Sequence, residues 1–194
     1  MRKIPLTWIF FLALSLSSGC AQVATSGAQI IYNHHSFKKS VDDQLITLQA
    51  NQALYIKSTL FQNTSINIST YNAEVLLAGQ VPTAWQKKQA EETVKAIPNV
   101  EHVYNFITVS PPPSTLKQVS DAWLTTKVKA KLVASEDVDG SKVKVVTEDG
   151  TVYLMGTLQQ EEAQAAVEIA SSTDGVENVV KIFSYIHIKK IVDG

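Results

Sequence analysis

Cysteine is nearly absent from this 194-residue chain: the single one, Cys20, cannot form an internal disulfide. Neither charge sign dominates, with 17 basic against 18 acidic residues. The global basic surplus with which general nucleic-acid binders neutralise phosphates is therefore missing. The chain also lacks a glycine-rich phosphate loop, a metal-ligand spacing and a nucleophile–base signature, which leaves no grounds in the sequence for an enzyme, a cofactor or a metal site. No apolar run reaches the roughly 18–20 residues of a membrane span. What remains is the balance of a globular chain, 45% hydrophobic and 18% charged, and it argues against disorder.

The first residues carry an export pattern. Arg2 and Lys3 precede an apolar run from Ile4 to Leu16, followed by Ser17-Ser18-Gly19-Cys20. A basic start, a short apolar segment and small residues at its end describe a signal peptide. The residues alone also fit an ordinary cleaved signal that leaves a thiol behind. The stretch resembles the lipobox of bacterial lipoproteins, in which the cysteine becomes the lipidated first residue of the mature chain. Gly19 and Ser18 match that pattern, whereas Ser17 stands where leucine is usual. The resemblance implies lipidation at Cys20, and Ala21 after it implies the outer membrane.

Beyond the leader the chain repeats itself at about 77 residues. Ile66-Asn67-Ile68 followed by Val75-Leu76-Leu77-Ala78-Gly79 returns as Val143-Lys144-Val145 followed by Val152-Tyr153-Leu154-Met155-Gly156. Asn99-Val100-Glu101-His102-Val103 returns as Gly175-Val176-Glu177-Asn178-Val179. Upstream, Asp43, Ile46, Ala50 and Leu54 correspond to Asp121, Leu124, Val128 and Leu132.

Each copy reads as helix–strand–strand–helix–strand. A first helix places Ile46/Ala50/Leu54, or Leu124/Val128/Leu132, on one face at four-residue spacing. Two short β-branched strands follow, joined in the second copy through Asp149-Gly150, a hairpin signal, and in the first through the weaker Asn72-Ala73. The glycines Gly79 and Gly156 are read as strand ends leading into second helices over 84–96 and 161–171. A third strand closes each copy over 103–109 and 179–188. Trp85 is expected to cover a sheet edge. Pro111-Pro112-Pro113 forms a stiff spacer. Residues 21–40, with His34-His35 and Lys38-Lys39, show no sustained periodicity and read as a tether. His102 and His187 lie on strands of different copies without a partner cluster.

This order, with a strand motif ending in glycine and a later Gly/Asn-Val-x-x-Val, resembles the BON domain. The most specific stretches are residues 121–128, 143–150, 76–80 and 103–105. The resemblance implies an α+β protein with two tandem BON domains, each with two helices packed on one three-stranded mixed sheet. The expected division is a signal peptide over 1–19, a tether over 20–40, a first domain over 41–110, a spacer over 111–115 and a second domain over 116–190. The resemblance further implies an outer-membrane lipoprotein, held by Cys20 and facing the periplasm, that supports envelope integrity. On the same grounds the second domain would contact anionic phospholipid such as phosphatidylglycerol, largely through its first helix.

The residues of that helix bear on the idea. Trp123, Lys127, Ala130 and Ala134 fall at helical spacing beside the core stripe, with Lys131 on the flank and Val133 near the end. A tryptophan beside lysines suits a headgroup interface, its indole half buried and ammonium groups on phosphates. Between residues 117 and 135 stand four lysines and one aspartate, against one lysine and two aspartates between 41 and 65. The expected lipid-contacting set is therefore Trp123, Lys127, Ala130, Lys131, Val133 and Ala134, together with Leu124 from the adjoining core stripe. The residues alone leave two other readings open. Trp123 could pack on the other module or the spacer, or the helix could dock an envelope protein partner.

Overall fold

The apolar strand run Val75–Ala78 has no polar alternation, so both faces of that strand need cover. A computed structural model, which describes residues 27–186, shows how each face obtains it. The signal peptide, Cys20 and His187 lie outside the described residues.

The first module comprises helix α1 (Gly27–Asn51) with a closing π turn (Gln52–Ile56), strands β1 (Ser65–Tyr71) and β2 (Glu74–Val81), helix α2 (Ala84–Lys95) and strand β3 (His102–Val109). The second repeats it as α3 (Thr115–Ala134), a 3-10 turn (Gly140–Lys142), β4 (Val143–Glu148), β5 (Thr151–Leu158), α4 (Gln160–Ser171) and β6 (Asn178–Tyr185). Each sheet is mixed: the central strand pairs antiparallel with the first and parallel with the third. Helix α1 starts upstream of the expected first module, so residues 27–40 of the expected tether are helical. Apolar periodicity reports a buried face and not helicity. Residues 28–51 hold neither proline nor glycine to interrupt the backbone ladder.

Gly79 and Gly156 do not end their strands. They sit two residues inside, paired with Ile66 and Val143. A Cβ at Gly79 would run into the Ser65 carbonyl, and one at Gly156 would come within 2.9 Å of the Lys142 carbonyl. The glycines therefore let the incoming chain cross close to the central strand.

Alternate residues of each central strand serve two cores. Val75, Leu77 and Val81 pack under α1 and α2 with Ile46, Ala50, Leu54, Ala90 and Val94. Val152, Leu154 and Leu158 pack under α3 and α4 in the same way. The intervening residues, Leu76 and Ala78 on β2 and Tyr153 and Met155 on β5, meet one another in a third core with Val146 and Ile182. The two sheets thus lie face to face with the helices outside, in the order helix, sheet, sheet, helix. Leu76 and Ala78 are the repeat equivalents of Tyr153 and Met155, so the modules pair through one patch as an isologous dimer would. The Phe106 and Tyr153 rings close one side, their centroids 5.2 Å apart.

Polar contacts at the rim follow the same pseudo-symmetry. The backbone N–H of Thr157 donates to the Tyr71 hydroxyl at 3.1 Å, and the Asn72 amide donates to the Thr157 hydroxyl at 2.9 Å. At the equivalent place the Gln80 amide donates to the Glu148 carboxylate at 3.1 Å. Lys144 spans the interface to the Thr70 carbonyl at 2.9 Å.

Within each module one aspartate ties the first helix to the hairpin. The Asp43 carboxylate accepts from the backbone N–H groups of Asn72 and Ala73, both at 2.8 Å. Asp121 does the same for Asp149 and Gly150, at 2.9 and 3.0 Å. Both residues of each turn have positive φ, from 49° to 71°, the left-handed pair that a two-residue hairpin demands. Ala73 holds this conformation against its Cβ, which is why the fixed N–H acceptors matter most there. Threonine pairs reinforce the clamp: Thr47 to Thr70 and Thr125 to Thr147, both at 2.8 Å.

Two expectations follow. Asp121→Ala strands two donors that now meet a carboxylate, and urea unfolding should show a loss of about 2–4 kcal/mol. Asp43→Ala should cost at least as much, and a change under about 0.5 kcal/mol in either would discount the clamp. Burial pushes the Glu148 carboxyl above its ordinary value; Gln80 and Lys117 oppose the shift and Asp121 adds to it. A carboxyl raised in the folded state binds its proton more readily there than in the unfolded chain. Its ionisation therefore erodes stability as pH climbs from the ordinary carboxylate range of about 4.3 through the raised value. Glu148→Gln should raise the melting midpoint at pH 7 and flatten its pH dependence. The new amide also offers a donor to the Gln80 side-chain oxygen, which is buried without a partner. A lower midpoint at pH 7 would contradict this account.

Candidate functional site

Because the sheets cover each other, the first helix of each module has one buried face and one open to solvent. Helix α3 follows the three prolines. Its N-cap, Ser114, accepts from the Lys117 backbone N–H at 3.4 Å. Asp121, Leu124, Val128 and Leu132 form its buried stripe.

On the opposite side Trp123 is 67% exposed, and Ala130, Lys131, Val133 and Ala134 are exposed with it. Leu124 is a correction: at 5% exposure it packs in the helix–sheet core, one residue and about 100° away from the outward tryptophan. Two residues were missed. Leu116, 80% exposed, and Val119 extend the Trp123 stripe toward the helix start. The spacing 116, 119, 123, 127, 130 carries them onto the same face, a signal that was readable from Trp123 backward.

The four lysines of this helix separate into different roles. Lys131 is exposed. Lys127 is partly covered: its ammonium donates to the Asp174 carbonyl at 3.1 Å and lies 3.6 Å from that residue's exposed carboxylate. An exposed pair of this kind is worth little and holds the ammonium only weakly. Lys117 pairs with Asp149 of the hairpin. Lys129 points inward, its ammonium donating to the carbonyls of Gly140 (2.7 Å) and Val143. Burial draws its pKa down, opposed by Asp139. The positive charge facing outward is therefore smaller than the sequence count.

Trp85, expected to cover a sheet edge, is instead 54% exposed at the start of α2. Among the described residues no three His, Cys, Asp or Glu side chains gather as a cation site, and no helix is long and apolar enough to cross a membrane.

Comparison with known proteins gives this architecture its family. The BON domain model matches twice, over residues 42–111 and 120–186. The chain belongs to the BON domain family. The first BON domain thus carries α1 and α2, the second α3 and α4. The chain is 34% identical to the outer membrane lipoprotein DolP of Haemophilus influenzae, over 87% of this chain and 89% of that one. It is 34% identical to a 21 kDa hemolysin of Actinobacillus pleuropneumoniae, over 75% of each chain. Identity to the osmotically-inducible protein Y of Escherichia coli is 30%, over 80% of this chain and 78% of that one. The chain is a DolP-like outer-membrane lipoprotein of two BON domains, and it is not an enzyme.

The inward turn of Lys129 yields a prediction. Lys129→Met should lower stability of the second BON domain by about 1–3 kcal/mol, since two carbonyls lose a charged donor. It should leave affinity for any anionic surface unchanged, whereas Lys131→Met should weaken it and spare stability. Unfolding curves paired with vesicle co-sedimentation would separate the two, and the reverse pattern would refute the assignment.

Proposed function

We propose that this lipoprotein, anchored through a lipidated Cys20 and facing the periplasm, uses its second BON domain to bind anionic phospholipid of the phosphatidylglycerol type and so supports envelope integrity. The observation that carries the reading is Trp123, standing out from α3 in line with exposed Leu116 and Val119 and beside Lys127 and Lys131. An indole at a bilayer surface sits at the headgroup level with apolar neighbours beneath it. Small Ala130 and Ala134 let the helix approach closely. Each lysine near such a surface adds about 1 kcal/mol, so two of them bind weakly alone. A lipid anchor raises the effective concentration and makes weak contact sufficient.

The chain from Ala21 onward retains every described residue and is the suitable probe. It should co-sediment with phosphatidylglycerol vesicles and not with neutral ones, more weakly as salt is raised. Trp123→Glu should lower affinity about tenfold or more, about 1.4 kcal/mol. Equal affinity for neutral vesicles, or no effect of Trp123→Glu, would redirect the helix toward a protein partner.

A further inference from the structure

The pseudo-symmetry of the two BON domains lets one rim of their interface be read against the other. On one rim the Tyr71 hydroxyl meets Thr157. On the other Glu148, the repeat equivalent of Tyr71, meets Gln80, the equivalent of Thr157. Beside the first contact Lys144 crosses from β4 to the first domain, where its ammonium donates to the Thr70 carbonyl at 2.9 Å. Burial lowers the Lys144 pKa, and the Asp43 carboxylate opposes the shift. The first rim thus seats an ammonium on a strand carbonyl, close to the clamp aspartate.

The second rim has the same walls without that lysine. The equivalent of Lys144 is Asn67, which has one methylene where lysine has four. Here a cleft of about 460 Å³ opens between the domains, and its lining includes Ser65, Asn67, Asp121, Thr125, Thr147 and Glu148. Asp121, Thr125 and Thr147 stand where Asp43, Thr47 and Thr70 stand on the first rim. The threonine pair is 2.8 Å long in both. Charge is what differs. Glu148 replaces the neutral Tyr71, and among the described residues it accepts one hydrogen bond, from the Gln80 amide at 3.1 Å. Gln80 is itself buried, with its side-chain oxygen unpartnered, so acceptors outnumber donors at this end of the cleft. No lysine or arginine lines the cleft. Lys117 of α3 pairs with Asp149 of the hairpin. Burial, with Asp121 adding to it, keeps the Glu148 carboxyl above its ordinary value against the pull of Gln80 and Lys117.

We propose that this cleft binds an alkylammonium group, the lysine side chain of a partner protein, in the place that Lys144 fills on the opposite rim. The incoming ammonium donates to the Thr147 carbonyl, the counterpart of the Thr70 carbonyl, and meets the carboxylates of Asp121 and Glu148. Charged donors on such acceptors make the stronger class of hydrogen bond. An ethanolamine lipid would bring its phosphodiester against the same two carboxylates, so an ammonium on an apolar stem is the better match. The site leaves the lipid-facing stripe free: Asp121 and Thr125 are each two positions from Trp123, about 200° around the helix.

Amide nuclear magnetic resonance of the chain from Ala21 onward, titrated with Nα-acetyl-lysine methylamide, tests the site. The backbone amides of Ser65, Asn67, Thr147 and Glu148 should shift and saturate with a Kd on the order of millimolar. The norleucine analogue, with a methyl group in place of the ammonium, should leave them unmoved. Asn67→Lys rebuilds the arrangement of the first rim and should abolish the shifts while raising the melting midpoint. Glu148→Gln should weaken binding about tenfold. Absence of saturable shifts, equal shifts from the norleucine analogue, or undiminished binding in either variant overturns the site. Tighter binding of glycerophosphoethanolamine than of the lysine amide would hand the cleft to a lipid headgroup and overturn the protein partner.

Discussion

Two three-stranded sheets, each apolar on both faces, can leave neither face to water. Helices cover one face of each, and the other faces cover each other through Leu76, Ala78, Tyr153, Met155 and their neighbours. This mutual burial governs the rest of the molecule. It makes one body of the two BON domains and consigns all four helices to the outside. The exposure of Trp123 follows from it, because among the described residues no further layer packs over α3.

The repeat supplies a common frame and the differences supply function. The aspartate clamp, the threonine pair and the close-approach glycine recur in both copies because each solves a backbone problem that any copy of the fold must solve. A hairpin with two left-handed residues needs its N–H groups held, and a strand crossing needs a position without a side chain. The interface between copies keeps its apolar centre but differs at its rim, where a tyrosine–backbone contact on one side becomes a glutamine–glutamate contact on the other. The outer surfaces are free of such demands. There the copies differ: Trp123 stands on the first helix of the second domain, and Trp85 on the second helix of the first.

A lipid anchor changes what such surfaces must achieve. A protein already held at the bilayer needs no high affinity from any single patch, only contacts that select lipid charge and set orientation. A few exposed apolar side chains with neighbouring lysines suffice, and they leave no deep pocket.

The amino-acid order alone makes legible the repeat, the succession of elements in each module, the core stripes of the helices and the hairpin at Asp149-Gly150. Each is a local matter of periodicity or turn chemistry, carried by residues a few positions apart. It also marked α3, since Trp123 and its lysines stand at helical spacing. Packing of the folded chain is what puts Leu76 and Met155 in a core between modules. It also turned Lys129 and Leu124 inward and left Leu116 and Trp85 outward. Identical residue types at adjacent helix positions point about 100° apart, and which of them meets water depends on what packs against the helix.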